Sequence, residues 1–501
     1  MKIAGLWNNH DCSFCVLEDG VPVIHAELER YIREKEPKGD SYKLFNQVCK
    51  DMQIDKWITA EGCNFEQYKF DKNHNVVGHH QAHAANTFFS SNLKDSLIIT
   101  IDGGGLDQGQ WTATTVWKGV DNKIYPYGLI PKDQLNIGNI WSRVTEQVFG
   151  LSTGHPYGHS AGTVMATTCL GDKNVYLKEF SKSPYYFCDN WHLRSEKDDE
   201  QARWNVAAAL QEWTEQKIKQ LIESALEWYP SKNLCLAGGV VLNCVMTTKI
   251  YEWFDFENIY ITPTPHDGGL CIGAAQYLWH HELDNPRIKW KDNFTPYLGQ
   301  KYDTELIRQS IDKFHNKITL KVVKDNDVID LLDKQNIISV YGSGSESGRR
   351  ALGNRSILAD PRSDKMKGMI NEKVKHRQWF RPFAPSILRE EVGKWFEKDI
   401  DSPYMNFAVK FKEDMKEKVP AVVHLDGTGR IQTVTKNDNE WYYNFISKWF
   451  KKSGVPILLN TSFNDREPIV ETPEDAIKCF LGTNIDYLYF RDINIIIEKK
   501  K

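Results

Sequence analysis

The sequence predicts an α/β protein of two domains, the first built on a duplicated core, and three observations carry that reading. A pattern of strand, polar turn and strand occurs twice, at residues 2–26 and again at 96–117. Apolar strand-like runs alternate with helix-period segments in both halves of the chain, the mark of α/β layering. Between residues 284 and 301 the periodicity fails and polar residues and prolines gather, so the break falls near residue 295 and the domains span 1–290 and 300–501. A length of 501 residues allows roughly three folding units, which fits two copies in the first domain plus one further domain.

The elements follow in order. Residues 2–7 read as a strand, Asn8-Asn9-His10-Asp11 as a polar turn, 12–17 as an alternating strand, and 21–26 as a third strand after Asp19-Gly20. Residues 79–90 are rich in alanine and free of proline, and read as a helix. The second hairpin has a strand at 96–101, a turn at Asp102-Gly103-Gly104-Gly105 and a strand at 110–117. In 202–228, Val206, Leu210, Trp213, Leu221, Ile222, Ala225 and Trp228 recur at about helical spacing, giving a packing helix. A strand at 234–237 and a turn at Gly238-Gly239 follow. The second domain alternates a helix at 303–316, a strand at 319–323, a helix at 327–333 and a strand at 337–341. Thr472-Pro473-Glu474-Asp475 starts a helix with a hydroxyl cap, a proline in the first turn and acids near its positive end. A terminal strand is expected at 493–497.

Composition removes several classes of function. With 63 Lys and Arg against 67 Asp and Glu, the net charge is −4, so no overall positive field exists to hold nucleic acid. Any anion must be gripped locally. The ten cysteines are scattered, some within apolar runs, as expected of reduced core thiols in the cytoplasm. Cys12-x-x-Cys15 also reads as half a zinc knuckle or a redox pair, but no second pair follows. Neither a signal-peptide core nor an eighteen-residue apolar window occurs, so the expectation is a soluble, cytoplasmic protein with no membrane partner.

Certain residues point to chemistry. His79 and His83 lie four apart, so on a helix both rings project from one face and can share a metal; capping or packing is the alternative. A thermolysin-like protease needs glutamate directly after the first histidine, where this chain has His80. Asp102 precedes three glycines, and Asp267 lies in Pro265-His266-Asp267-Gly268-Gly269; carboxylates at such turns point into clefts. Two imidazoles and two carboxylates suit iron, manganese or zinc. Gly103, Gly104, Gly238 and Gly239 either let backbone amides approach a phosphate or serve as plain turns. His10, beside Asp11, is the candidate general base, with a hydrogen-bonded turn histidine as the alternative. From Ser345 to Pro385 ten basic residues face four acidic ones, interleaved with Trp379, Phe380 and Phe383, which favours a folded oxyanion pocket over a solvated charge run. Arg430 and Ser462 offer further donors.

Four strings then carry a resemblance: His79-His80-Gln81-Ala82-His83-Ala84, Arg350-Ala351-Leu352-Gly353-Asn354-Arg355-Ser356, Trp379-Phe380-Arg381-Pro382-Phe383-Ala384-Pro385, and Leu459-Asn460-Thr461-Ser462-Phe463-Asn464. In this order the chain resembles the NodU/CmcH/TobZ-type O-carbamoyltransferases. The resemblance implies an N-terminal lobe of the duplicated actin-like ATPase superfold, similar to tRNA threonylcarbamoyl-transfer metalloproteins, and a YrdC-like C-terminal lobe. It also implies that carbamoyl phosphate is broken to carbamate in the C-terminal lobe and adenylated by ATP with magnesium. The carbamoyl adenylate then passes to the N-terminal lobe, where a small hydroxylated acceptor takes the carbamoyl group.

By the same resemblance His79, His83, Asp102 and Asp267 hold a divalent metal, iron before manganese or zinc. His10 takes the hydroxyl proton, and Lys35 lies near the transferred group. Gly103, Gly104, Gly238, Gly239 and Asn243 face the nucleotide in the N-terminal lobe. Arg350, Lys375, Arg381, Arg430 and Ser462 hold carbamoyl phosphate and the adenylate. Two departures stand out: Thr163-Val164-Met165-Ala166-Thr167 replaces the family's lysine followed by Met-Gly-Leu-Ala, and Glu346-Ser347-Gly348-Arg349 replaces acid-aromatic-Gly-Pro-Arg. Two other functions remain open at this point, transfer onto tRNA and a non-catalytic regulator that binds metal and nucleotide. The oligomeric state is open too, with a homodimer as one option.

Overall fold

The computed structural model describes residues 1–63, 74–288 and 295–500. The chain divides into two compact units, Met1–Phe294 and Thr295–Lys501. Of the segment 284–301 expected to separate two domains, residues 289–294 lie outside the described residues.

The first unit holds two five-stranded sheets of one topology. In the first sheet the order is Val21–Glu27, Ser13–Glu18, Lys2–Trp7, Lys56–Ala60, His74–Val77. Its first three strands in sequence pair antiparallel, and the next two join parallel to the first. The second sheet repeats this with Lys123–Pro131, Gln110–Val120, Asp95–Asp107, Asn233–Ala237 and Asn258–Ile261. Its pairings have the same senses in the same order. After its fifth strand each sheet continues into a helix, His79–Ser90 for the first and Leu270–Gln276 for the second. Alternation places Ala4, Leu6, Phe14 and Val16 on one face of the first sheet, where Leu44 and Phe45 of the helix Ser41–Val48 close a core cluster over them.

One expectation is corrected here. The run Asp102-Gly103-Gly104-Gly105 is no turn: the strand runs on to Asp107, with a register shift between Ile101 and Gly105. Gly104, at φ +132°, absorbs that bulge, and the chain reverses only at Gln108 and Gly109. Most other elements fall within a few residues of their expected bounds, and the helix His79–Ser90 matches at both ends.

The second unit is a nine-stranded mixed sheet ordered Ile318–Val322, Ile495–Lys499, Tyr487–Phe490, Ile338–Tyr341, Arg355–Ala359, Ile457–Ser462, Ala384–Leu388, Thr428–Val434, Phe407–Lys410. Val328, Leu332, Val340, Leu358, Phe445, Trp449 and Tyr489 form its core between the sheet and the helices Asp325–Asp333 and Glu440–Ser453. Among the described residues no helix is long and apolar enough to cross a membrane.

Candidate functional site

Four donor groups converge in the first unit. Ring nitrogens of His79 and His83 and carboxylate oxygens of Asp102 and Asp267 all lie within 4.8 Å of one another. One helical turn separates the two histidines, so their rings stand side by side, centroids 4.8 Å apart. His83 Nε2 is 3.3 Å from Asp102 Oδ2 and 3.3 Å from Asp267 Oδ1, and His79 Nε2 is 3.6 Å from Asp267 Oδ1. His10, half-exposed on the turn after the first strand, brings Nε2 to 3.1 Å from Asp267 Oδ2.

The duplication explains the convergence. Each copy contributes from the same two places. From the first strand or the turn just after it come His10 in one copy and Asp102 in the other. From the helix that follows the fifth strand, or its start, come His79 with His83 in one copy and Asp267 in the other.

The electrostatics of the cluster suit a cation. His79 Nε2 and His83 Nδ1 are buried without a hydrogen-bond partner, a costly state for polar atoms, while His83 Nε2 faces the two carboxylates. Burial holds the His79 pKa below its ordinary value. Burial also opposes the charged form of His83, but hydrogen bonds to Asp102 and Asp267 and their charges outweigh it and raise the pKa to about 9. Burial and Asp267 push Asp102 up, yet the imidazoles of His83 and His79 win and hold it at about 2. Asp267 is held well below the carboxylate range, against its burial, by His10 and His79. Asp267 in turn raises His10 to about 10. Two ionised carboxylates beside imidazole nitrogens, two of them without any hydrogen bond, fit a divalent metal, and the mixed nitrogen and oxygen donors fit iron, manganese or zinc.

Surrounding groups hold the ligands in place. Asp102 Oδ1 accepts from Gly103 N at 2.5 Å and Oδ2 from Gly239 N at 2.8 Å. The loop carrying Asp267 is fastened through Gly268 O, which accepts from Ser13 Oγ at 3.0 Å and lies 2.8 Å from His25 Nε2. His80 is not part of the cluster: Nδ1 lies 2.6 Å from Thr100 Oγ1 and Nε2 3.1 Å from Thr112 O, while burial lowers its pKa to about 4.

The remaining residues of interest in this unit sit as follows. Gly238 N donates to Pro265 O at 2.6 Å, so the amides of Gly103, Gly238 and Gly239 all engage protein atoms. Asn243 caps the helix Cys244–Trp253, its Oδ1 accepting from Met246 N at 3.0 Å and its Nδ2 donating to Gln211 Oε1 at 2.8 Å. Lys35 is half-buried and donates its backbone N–H to Pro156 O at 3.2 Å. Cys12 and Cys15 are buried free thiols, and burial pushes both well above the usual thiol range.

In the second unit the structure brings together Arg377, Arg381 and Arg430. Burial first, and then repulsion among these guanidiniums, lowers Arg377 well below its ordinary value and Arg381 to about 10. Arg377 lies over the Phe383 ring and donates to Asn371 Oδ1 at 2.8 Å. Lys375 meets Ser462, but as a captured donor: its Nζ contacts Ser462 O at 2.5 Å, Ser462 Oγ at 3.2 Å, Asn464 O at 2.8 Å and Asn464 Oδ1 at 2.6 Å. Arg350 lies in a loop organised by buried Glu346, whose Oε1 accepts from the amides of Leu352, Asn354 and Arg355 at 2.7, 2.7 and 3.2 Å. The local surplus of positive charge signals this region, but nothing in the sequence separates Arg377 from its neighbours.

Comparison with known proteins adds family. The family model described as Carbamoyltransferase N-terminus matches residues 49–276, and that described as Carbamoyltransferase C-terminus matches 329–498. An uncharacterized protein of Synechocystis is 32% identical, aligned over 84% of this chain and 75% of its own length. The nodulation protein NolO of Bradyrhizobium diazoefficiens is 32% identical over 82% of this chain and 77% of its length. Among solved structures, the ADPNP-bound activator of 2-hydroxyisocaproyl-CoA dehydratase from Clostridium difficile aligns over 58% of this chain and all of its own at 12% identity, with a TM-score of only 0.37.

Proposed function

The chain belongs to the carbamoyltransferase family, and from that premise we propose that it is an ATP-dependent O-carbamoyltransferase acting on a small hydroxylated molecule such as a sugar or a natural-product alcohol. In this reading the C-terminal unit takes carbamoyl phosphate, whose hydrolysis gives carbamate and phosphate. Carbamate oxygen then attacks the α-phosphorus of ATP, releasing pyrophosphate and forming carbamoyl adenylate. In the N-terminal unit, read as an actin-like ATPase fold, the acceptor hydroxyl attacks the carbamoyl carbon and AMP leaves.

The observation that carries the proposal is the cluster of His79, His83, Asp102 and Asp267, all but Asp102 buried, with His10 against it. A divalent metal held there would supply Lewis acidity toward carbonyl or phosphate oxygen. His10 is the base for the hydroxyl proton; the Asp267 contact keeps its ring protonated, so this role requires the Asp267 charge to be drawn to the cation. Lys35 lies near the transferred group. In the C-terminal unit Arg381 and Arg430 bind the phosphate and adenylate oxygens together with Arg377, and Lys375 acts by fixing the Ser462 and Asn464 backbone.

The test is incubation with carbamoyl phosphate, ATP, magnesium and ferrous iron, following phosphate, pyrophosphate and AMP while screening acceptors by mass spectrometry for a gain of one carbamoyl group. His10→Asn is expected to abolish AMP release on transfer and spare pyrophosphate release. An absence of nucleotide turnover with ferrous iron, manganese or zinc supplied in turn would leave only a binding protein.

A further inference from the structure

Glycine occupies the N-cap position of the helix His79–Ser90 at Gly78, so no N-cap side chain accepts from the amides of its first turn; Gln81 Oε1 accepts only from Gly78 N, at 3.4 Å. The missing acceptor comes from elsewhere in the chain. Asp107, at the end of the strand Asp95–Asp107 and almost wholly buried, accepts from His80 N at 3.0 Å through Oδ2 and from Gln81 N at 3.1 Å through Oδ1. These are the second and third amides of the helix, the ones a cap satisfies. Thr112 Oγ1, on the neighbouring strand, donates to Asp107 Oδ2 at 3.1 Å and fixes the carboxylate plane. A Cβ on Gly78 would stand 2.3 Å from Asp107 Oδ1, so the approach needs glycine there.

The same strand carries Asp102. A Cβ at its Gly105 would stand 2.1 Å from the His79 ring, which shows how closely strand and helix meet. One continuous strand therefore supplies a carboxylate to the cluster and, five residues on, the group that anchors the helix bearing both imidazoles. Sliding or turning this helix by a fraction of a residue would carry His79 and His83 away from Asp102.

We propose that Asp107 is a positioning residue of the cation cluster, setting His79 and His83 against Asp102 by tying the first turn of their helix to the strand that carries Asp102. It rests on the reading of the cluster as a cation site. Groups that orient metal ligands without touching the metal typically contribute about tenfold to a hundredfold in affinity.

The experiment titrates full-length protein with cobalt(II), following its visible spectrum and competition with a chelator. In parallel it records thermal unfolding of the metal-free protein and amide exchange at His80 and Gln81. Asp107→Ala is expected to weaken cobalt binding by about tenfold to a hundredfold and to alter the spectrum. Asp107→Asn, which keeps one acceptor, should recover part of that loss and covers the case in which the alanine variant does not fold. Asp199→Ala removes the cap of the helix Glu200–Trp228 and serves as the comparison. It should lower the unfolding temperature by a few degrees with affinity intact. Wild-type affinity and spectrum in the Asp107 variants, at a lowered unfolding temperature, would overturn the proposal and leave an ordinary helix cap. No cobalt binding by the wild type would instead overturn the cation reading, and this proposal with it.

Discussion

The two units concentrate charge in opposite ways. In the N-terminal unit imidazoles and carboxylates are interleaved, so the cluster partly balances itself while two carboxylates face inward. In the C-terminal unit Arg377, Arg381 and Arg430 repel one another, and burial deepens the repulsion. One cluster mixes basic and acidic groups, and the other gathers groups of one sign. A whole-chain charge of −4 conceals both, which teaches that net charge reports on long-range fields and not on what a folded site will bind.

The most damaging way to break this contrast is to remove Asp267, which faces His10, His79 and His83 together. Asp267→Ala should take metal content to background by elemental analysis and cut carbamoyl transfer by about a thousandfold. Pyrophosphate release should persist, since the arginines lie in the other unit; its parallel loss would mean the two sites do not divide the work. Next in size is Arg381→Ala, expected to raise the carbamoyl phosphate requirement by about a hundredfold through loss of a charge-assisted contact, with bound metal unchanged. A variant that kept its carbamoyl phosphate dependence but lost metal would reverse the assignment of the units.

The smallest effect sharpens the contrast through pH. Burial lowers His280 of the N-terminal unit to about 4, whereas a free imidazole titrates near 6.5. The unfolded chain therefore takes up a proton here before the folded one does, and stability present above about 6.5 is lost as the pH falls toward 4. Between pH 7 and 5.5 this amounts to about 1 kcal/mol. His280→Gln should flatten that part of the unfolding free-energy profile.

Much of the cation cluster is legible in the amino-acid sequence because its signals are local. The spacing of His79 and His83 follows from helix geometry, and the helix bounds follow from composition. Asp102 stands out beside its glycines, although these form a bulge rather than a turn. Asp107 is hidden for a physical reason: it caps a helix that ends seventeen residues earlier, and such a partner leaves no trace in spacing. Glycines announce backbone freedom but not the atom their amides will meet, and here Gly239 meets Asp102. Lysine announces charge, but four oxygens around Lys375 are gathered from a strand and loop nearly ninety residues away.

The repeated sheet has a consequence for how this chain can be divided. The first copy supplies only imidazoles, His10, His79 and His83, and the second supplies only carboxylates, Asp102 and Asp267. A cut between Ser90 and Asp95 would separate bases from acids completely, so neither fragment holds a mixed donor set. The site exists only where the two halves of one gene product are reunited, and complementation of split fragments would have to restore it from both sides at once.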